Sequence, residues 1–433
     1  MRKVFLFLSM LLGTSATADD TAPQLGLNFM RYFWDRPGDF GEPTDTINAD
    51  VQRLGADAMR QLVRADLVWR DVEPKDDQWD FSRSDAVLSA PSATPIVTLF
   101  SLQYASPTPP WVQGPGAFQP VLGPAARDYV ETVVKRYADK VRYWEIGNEM
   151  DHWRISDPGD RRRPPAKRPP HSPPGGFSPE AQGRFVAATA AIIREHDPDA
   201  VILMPGMGGL SPYVIDTWLP GFLKGAGSDG FDVVGYHFYG SWNVLKQRRE
   251  RLGKALSALG IADKPVWLTE TGSTSVSDLT LRTDYPNSEA SQAADVFRRA
   301  AVAWGAGDQA VFWHTLQGSP ERPRNRWRGY GLKAADGRPK LAHSSYGLLG
   351  AHLSSHQSVK PVPGLSRGQY GYEIVRRDGA HRWVFWGEGT VPAPTKEPAK
   401  AYTSVVPGQD GRYAWRGVGD EIVLSEIPVL LRN

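Results

Sequence analysis

The 433-residue chain contains no cysteine, which rules out a disulfide scaffold, thiolate metal ligands and a cysteine nucleophile. It has no apolar run approaching the roughly 20 residues a membrane-spanning helix requires, so no transmembrane segment is expected. Its formal net charge is only +2, from 50 basic and 48 acidic residues, which gives little reason to expect a nucleic-acid partner. No glycine-rich loop follows the first apolar run, as a dinucleotide-binding open sheet would need. No cluster of side chains at ligand spacing stands out, so neither a metal nor another cofactor is expected.

What remains is an ordinary globular balance, 41% hydrophobic and 23% charged. The length suits two or three domains of roughly 150 residues each. Aromatic residues lean toward tryptophan, with 15 Trp beside 16 Phe and 15 Tyr; flat apolar faces with a polar edge suit deep cores and sugar rings alike. At the start, Arg2 and Lys3 precede the apolar run Val4–Leu12 and the small-residue site Ala16-Thr17-Ala18. This is the pattern of an export signal over residues 1–18, and it predicts a periplasmic or secreted protein whose mature chain begins near Asp19.

Eight short β-type runs follow: Leu25–Met30, Met59–Val63, Thr94–Phe100, Val141–Ile146, Val201–Met204, Val233–Phe238, Val266–Thr269 and Ala310–Trp313. Helical patterns fall between and after them. In Arg127–Lys140, Tyr129, Val130, Val133, Val134 and Tyr137 make one apolar face. Ser178-Pro179-Glu180 is a helix start, with a hydroxyl cap, proline in the first turn and a carboxylate near the positive dipole end. Asp197-Pro198 is the matching stop. Strand-plus-helix units in this number predict an α/β chain whose residues 19–350 form a (β/α)8 TIM barrel. After residue 350 the pattern becomes β-rich. Tyr372–Arg377, the turn Asp378-Gly379 and His381–Trp386 read as a hairpin, and Tyr402–Val406, Arg412–Trp415 and Glu421–Leu431 read as further strands. A small β-sandwich over 351–433 is the expectation.

Chemistry concentrates at two strand ends. Tyr143-Trp144-Glu145-Ile146-Gly147-Asn148-Glu149-Met150 closes the fourth run, and Val266-Trp267-Leu268-Thr269-Glu270-Thr271-Gly272 closes the seventh. In a barrel both ends face the active site. Two glutamates aimed at one cleft are what glycosidic cleavage needs: one protonates the leaving oxygen, and the other attacks the anomeric carbon or activates water. Glu145 reads as a structural or supporting carboxylate, and His152, His171 and His314 as ordinary structural histidines.

The two glutamate motifs, in this order, resemble clan A glycoside hydrolases, and the chain looks most like glycoside hydrolase family 39 and related bacterial exopolysaccharide hydrolases. The resemblance covers about residues 24–350. It implies a retaining mechanism without metal, in which Glu149 is the general acid/base, Glu270 the nucleophile, and Asn148 holds the sugar 2-hydroxyl. Val63-Arg64-Ala65-Asp66-Leu67-Val68-Trp69 resembles the clan's second-strand segment, which implies that Arg64 supports the nucleophile. By the same resemblance His237 and Tyr239 position the nucleophile and nearby hydroxyls, and Trp313 lies under the sugar ring. Arg64 and Tyr239 would keep Glu270 ionised, while partial burial and the charge of Glu270 would keep Glu149 protonated. Retention requires the carboxyls about 5–5.5 Å apart, inversion roughly 6.5–9.5 Å.

Trp34, Tyr104, Trp111, Trp153 and Trp242 lie in strand-end loops, where sugar subsites and plain packing are both open. Residues 154–178 hold six basic against two acidic side chains, and 319–341 seven against two. Both follow strands that bound the cleft, which suggests an anionic polysaccharide or oligosaccharide substrate; a solvated loop or partner-docking surface is the other reading. A catalytically silent sugar-binding protein and a transglycosylase on the same scaffold also stay open.

Overall fold

The computed structural model describes residues 24–28, 61–67, 69–88, 94–100, 109, 111–112, 122–152, 178–276, 288–316, 329–408 and 410–433. The export signal, Trp34, Tyr104, Trp153, His171, residues 154–177 of the first basic segment and 319–328 of the second lie outside the described residues.

Eight strands form one parallel sheet: β1 (Leu25–Asn28), β2 (Gln61–Leu67), β3 (Thr94–Leu99), β4 (Tyr143–Ile146), β5 (Val201–Leu203), β6 (Val234–Phe238), β7 (Val266–Thr271) and β8 (Ala310–His314). Their spatial order is β5-β4-β3-β2-β1-β8-β7-β6. The two end strands also meet, through the parallel bridges Leu203 to Val233 and Met207 to Tyr236. The Met204 N–H donates to the Val233 carbonyl at 3.0 Å and the His237 N–H to the Met207 carbonyl at 2.7 Å. Tyr143, Leu203, Val233, Trp267 and Phe312, from β4 to β8 and their flanks, pack against one another. Gly26 makes room for them, because a Cβ there would lie 2.4 Å from the Phe312 ring.

Helices α1 (Ser82–Leu88), α2 (Pro124–Tyr137), α3 (Pro179–His196), α4 (Leu219–Ala226), α5 (Trp242–Ala258), α6 (Glu289–Gly305) and α7 (Leu341–Leu353) follow strands β2 to β8 in turn. Local expectations hold well here. The five apolar residues of α2 are all buried. In α3 the Ser178 hydroxyl accepts from the Ala181 N–H at 3.1 Å, with Pro179 in the first turn, and Asp197 ends the helix. Among the described residues no helix is long and apolar enough to cross a membrane.

Boundaries moved where tertiary pairing overrode local polarity. β2 begins at Gln61 and runs through Arg64 and Asp66, because β1 pairs along one side of it and β3 along the other. The last helix continues to the buried Leu353, so the first three residues assigned to the β-rich region finish α7.

Beyond it, β9 (His356–Pro361), β10 (Gln369–Arg376), β11 (His381–Gly387), β13 (Ala401–Ser404), β14 (Arg416–Gly417) and β16 (Val429–Arg432) make a six-stranded sheet, while β12 (Thr390–Pro392) pairs with β15 (Glu421–Val423). The β10–β11 hairpin is as expected, turning at Gly379 with φ +79°. The expected strand at Arg412–Trp415 is instead the short β14, and Glu421–Leu431 is broken in two. The break contains Pro428, which has no N–H to give a ladder. The six-stranded sheet serves two cores. Trp383, Phe385 and Leu431 on one face meet Val391 and Ile422 of the small pair. Tyr372, Ile374, Val384, Trp386 and Leu430 join the main core. Gln24, just before β1, exchanges two hydrogen bonds with the His356 backbone at 2.8 and 3.0 Å.

Candidate active site

The C-terminal ends of β4, β6 and β7 converge on one cluster. Glu149 follows β4 and has φ +46°, a left-handed backbone uncommon for any residue but glycine. Its N–H donates to the Gly206 carbonyl at 3.0 Å, in the extension of β5. Asn148 before it is buried and bridges to the same glycine. Glu270 lies within β7, at a register shift. Tyr236 opposes Leu268, but the next residue, His237, opposes Glu270, leaving Thr269 as an extra residue. Strict alternation would put Glu270 on the face of Leu268; the bulge turns it to the face of His237.

His237 is the hub. Its Nδ1 lies 2.9 Å from Oε1 of Glu149 and 3.5 Å from Oε2 of Glu270. That nitrogen and one oxygen of each glutamate all lie within 4.8 Å of one another. The same set would fit a cation by distance, and the reaction considered below does not need one. The Tyr239 hydroxyl donates to Oε2 of Glu270 at 2.5 Å. Burial, then the neighbouring Glu270 charge, pushes the Tyr239 phenol well above 10, so it remains a donor. Gly206 backs His237 closely: a Cβ there would stand 2.3 Å from its Nε2. Glu145 is structural, as expected, accepting from the Thr98 hydroxyl at 2.8 Å and the Gly206 N–H at 3.1 Å.

The protonation expectation for Glu149 needs correcting. Burial does push its carboxyl up, but hydrogen bonds from His152 and His237 and the charges behind them outweigh it. The carboxyl is held well below the usual carboxylate range. Proximity to Glu270 does not keep it protonated, because the histidines outweigh it.

Two histidines read as merely structural belong here. Nδ1 of His152 lies 3.1 Å from Oε2 of Glu149. His314, ending β8, lies 4.0 Å from Oε2 of Glu270 and edge-on to Tyr239. His152 had a legible signal, since residues three apart share a helical face and Met150–His152 is a helical turn. For His314 the signal was its place at a strand end.

Other expected residues fare unequally. Arg64 lies in β2 in register with Asn28 of β1; its side chain is outside what is described. Trp313 is in the β8 end but only 3% exposed, its Nε1 donating to the Tyr330 carbonyl at 3.2 Å, so it offers little open face. Trp111 packs edge-on to Trp69 and donates to the Glu73 carbonyl, and Trp242 packs edge-on to Tyr370 and Trp386. For both, packing is the reading the structure favours.

The family model "Glycosyl hydrolase catalytic core" matches residues 184–340, and "Glycosyl hydrolase family 10" matches residues 45–165. No curated protein matches the chain. Among solved structures it is similar to a family 39 glycoside hydrolase from Bacteroides cellulosilyticus WH2, at 17% identity and a TM-score of 0.64 over 96% of this chain and 82% of that one. It is also similar to a monomeric β-xylosidase from Caulobacter crescentus CB15, with 16% identity, TM-score 0.57 and 96% of both chains covered. An α-L-arabinofuranosidase from Thermotoga maritima is alike at 13% identity, TM-score 0.59, over 96% of this chain and 97% of the other. These likenesses establish a shared fold.

Proposed function

We propose that this glycosidase, of clan A type, is a retaining O-glycoside hydrolase that cleaves a poly- or oligosaccharide by double displacement, on a (β/α)8 TIM barrel over 19–350 with an accessory β-domain over 351–433. One observation carries the reading. Glu149 and Glu270, from strands far apart in sequence, bring oxygens within 4.8 Å of one another around a single histidine nitrogen. That close approach suits a carboxylate that attacks the anomeric carbon directly, as in a retaining enzyme.

In this reading Glu270 attacks the anomeric carbon while Glu149 protonates the departing oxygen. Water then displaces Glu270, losing its proton to Glu149. Tyr239 orients Glu270. His237 faces both carboxylates and keeps their charges from repelling each other apart. The lowered Glu149 carboxyl suits its second role, as base; its first role requires a proton delivered by a neighbour. Asn148 and Arg64 are assigned, through the resemblance, to the sugar 2-hydroxyl and to the nucleophile. The names of the similar β-xylosidase and arabinofuranosidase direct the first substrates to pentosides. The two basic segments direct the polymer panel to acidic polysaccharides.

The experiment is Glu149→Ala assayed on two substrates. Turnover should fall about 10²–10⁴-fold on a polysaccharide and stay much higher on aryl glycosides whose leaving group needs no proton. Equal loss on both would overturn the roles, and a first product of inverted configuration would overturn retention. Running the polymer arm at low and high salt tests the substrate charge, since only an acidic chain should be cut faster at low ionic strength. Binding of a polymer with no release of reducing ends would favour a sugar-binding protein instead.

A further inference from the structure

We infer that His152 is a positioning residue that passes protons between solvent and Glu149 and is itself held in place by Asp151 and the Gly208 backbone. The inference rests on Glu149 being the acid/base of the proposed reaction.

Both oxygens of Glu149 face imidazoles, Oε1 that of His237 and Oε2 that of His152. The two rings differ in access. The side chain of His237 is 0% exposed and that of His152 is 48% exposed. Glu149 is itself 21% exposed, so of its two imidazole partners His152 is the one that reaches water.

The ring is held from three sides. The left-handed turn at Glu149 leads into the helical turn Met150–His152, where the His152 N–H donates to the Glu149 carbonyl at 2.9 Å. Asp151 is buried; its Oδ1 accepts from the Gly208 N–H at 2.8 Å, and its Oδ2 lies 3.7 Å from Nε2 of His152. The Gly208 backbone lies close against the imidazole, where a Cβ would stand 2.3 Å from Cε1. Each ring nitrogen thus faces a carboxylate, an arrangement that favours the imidazolium.

The steps balance. The proton on Nδ1 of His152 moves to Oε2 of Glu149 and from there to the departing oxygen, and the neutral ring takes a proton from solvent. In the second half-reaction the ring first returns that proton to solvent, which frees Nδ1 to accept from Glu149 the proton taken from the attacking water and so restores the starting state. The charged and titratable groups facing this pair are Asp151 on the same turn, His237 from β6 and Glu270 from β7, with the Tyr239 hydroxyl beyond; these are the ones among the described residues.

The test is the pH profile of kcat/KM for His152→Asn and His152→Gln on a substrate whose leaving group needs protonation. With Glu149 held low beside His152, the basic limb reports loss of the imidazolium proton; without the ring it reports Glu149 alone, so the basic limb should move down by about one pH unit or more while KM stays close to wild type. Free imidazole should restore the native limb in His152→Gly. A basic limb unmoved in both variants, with activity merely reduced, would make His152 structural and overturn the inference, and so would a change confined to KM. Glu149→Ala with azide separates the two readings. If azide does not restore turnover on an aryl glycoside, the acid/base assignment itself fails, whatever the histidine variants do.

Discussion

β6 presents two tyrosine hydroxyls, three residues apart in sequence, to two different buried carboxylates. Tyr239, just past the strand, donates to Glu270 at 2.5 Å, and Tyr236 within it donates to Asp308 at 2.6 Å. The pairs use the same chemistry in different company. Asp308 also accepts from Nε of the buried Arg249 at 2.5 Å, a cation that never gives up its proton. Glu270 faces His237, whose proton is exchangeable and whose same nitrogen also faces Glu149. Burial pushes both the Asp308 carboxyl and the Tyr236 phenol up; Arg249 pulls against it at Asp308. A carboxylate closed in by arginine and tyrosine is a structural tie between α5, β6 and the start of β8. One that shares a histidine with a second carboxylate at the cleft has a charge that can be moved. Neighbours, more than residue type, separate structure from chemistry.

The sharpest break of this comparison exchanges the two losses. Glu270→Ala should lower turnover by about 10⁴-fold or more with little change in the melting temperature. Asp308→Asn should cost about 3–5 kcal/mol in denaturant unfolding, because it strands Arg249 in the core, while kcat of the folded fraction stays near wild type. If Asp308→Asn proved catalytically dead yet stable, the division into two roles would fall. The tyrosines should repeat the contrast more weakly. Tyr239→Phe should reduce kcat by about 10²-fold, and Tyr236→Phe should cost about 1–3 kcal/mol of stability with activity retained. The smallest effect separates support from chemistry. Gly206→Ala pushes on Nε2 of His237, so an activity loss of about 10-fold should accompany an overpacking cost of about 1–3 kcal/mol. Gly417→Ala, with nothing within 4 Å of the added carbon, should change neither, as thermal melts and steady-state rates can check.

Much of this contrast was legible beforehand, though unevenly. The helix face of α2, the cap and stop of α3 and the β10–β11 hairpin were read from spacings of a few residues, and all stand. Glu149, Glu270, His237 and Tyr239 were named as one site and do lie together. His152 is legible only through its spacing of three from Glu149, and that spacing brings the two together because the left-handed turn at Glu149 leads straight into a helical turn. Asp308 and Arg249 drew no notice, being 59 residues apart and in unremarkable surroundings. In the β-rich region alternation shows that a strand has an apolar face without showing which core that face enters.

By itself the amino-acid order determined the succession of apolar strands and amphipathic helices and the two glutamates at strand ends, because periodicity and end signals act over one or two turns of chain. Only the closed tertiary structure decided which carboxylate meets which nitrogen. Those distances depend on an extra residue in β7, a left-handed turn after β4 and glycines thin enough to admit two imidazoles, and each of these has its effect only when strands distant in sequence pack side by side.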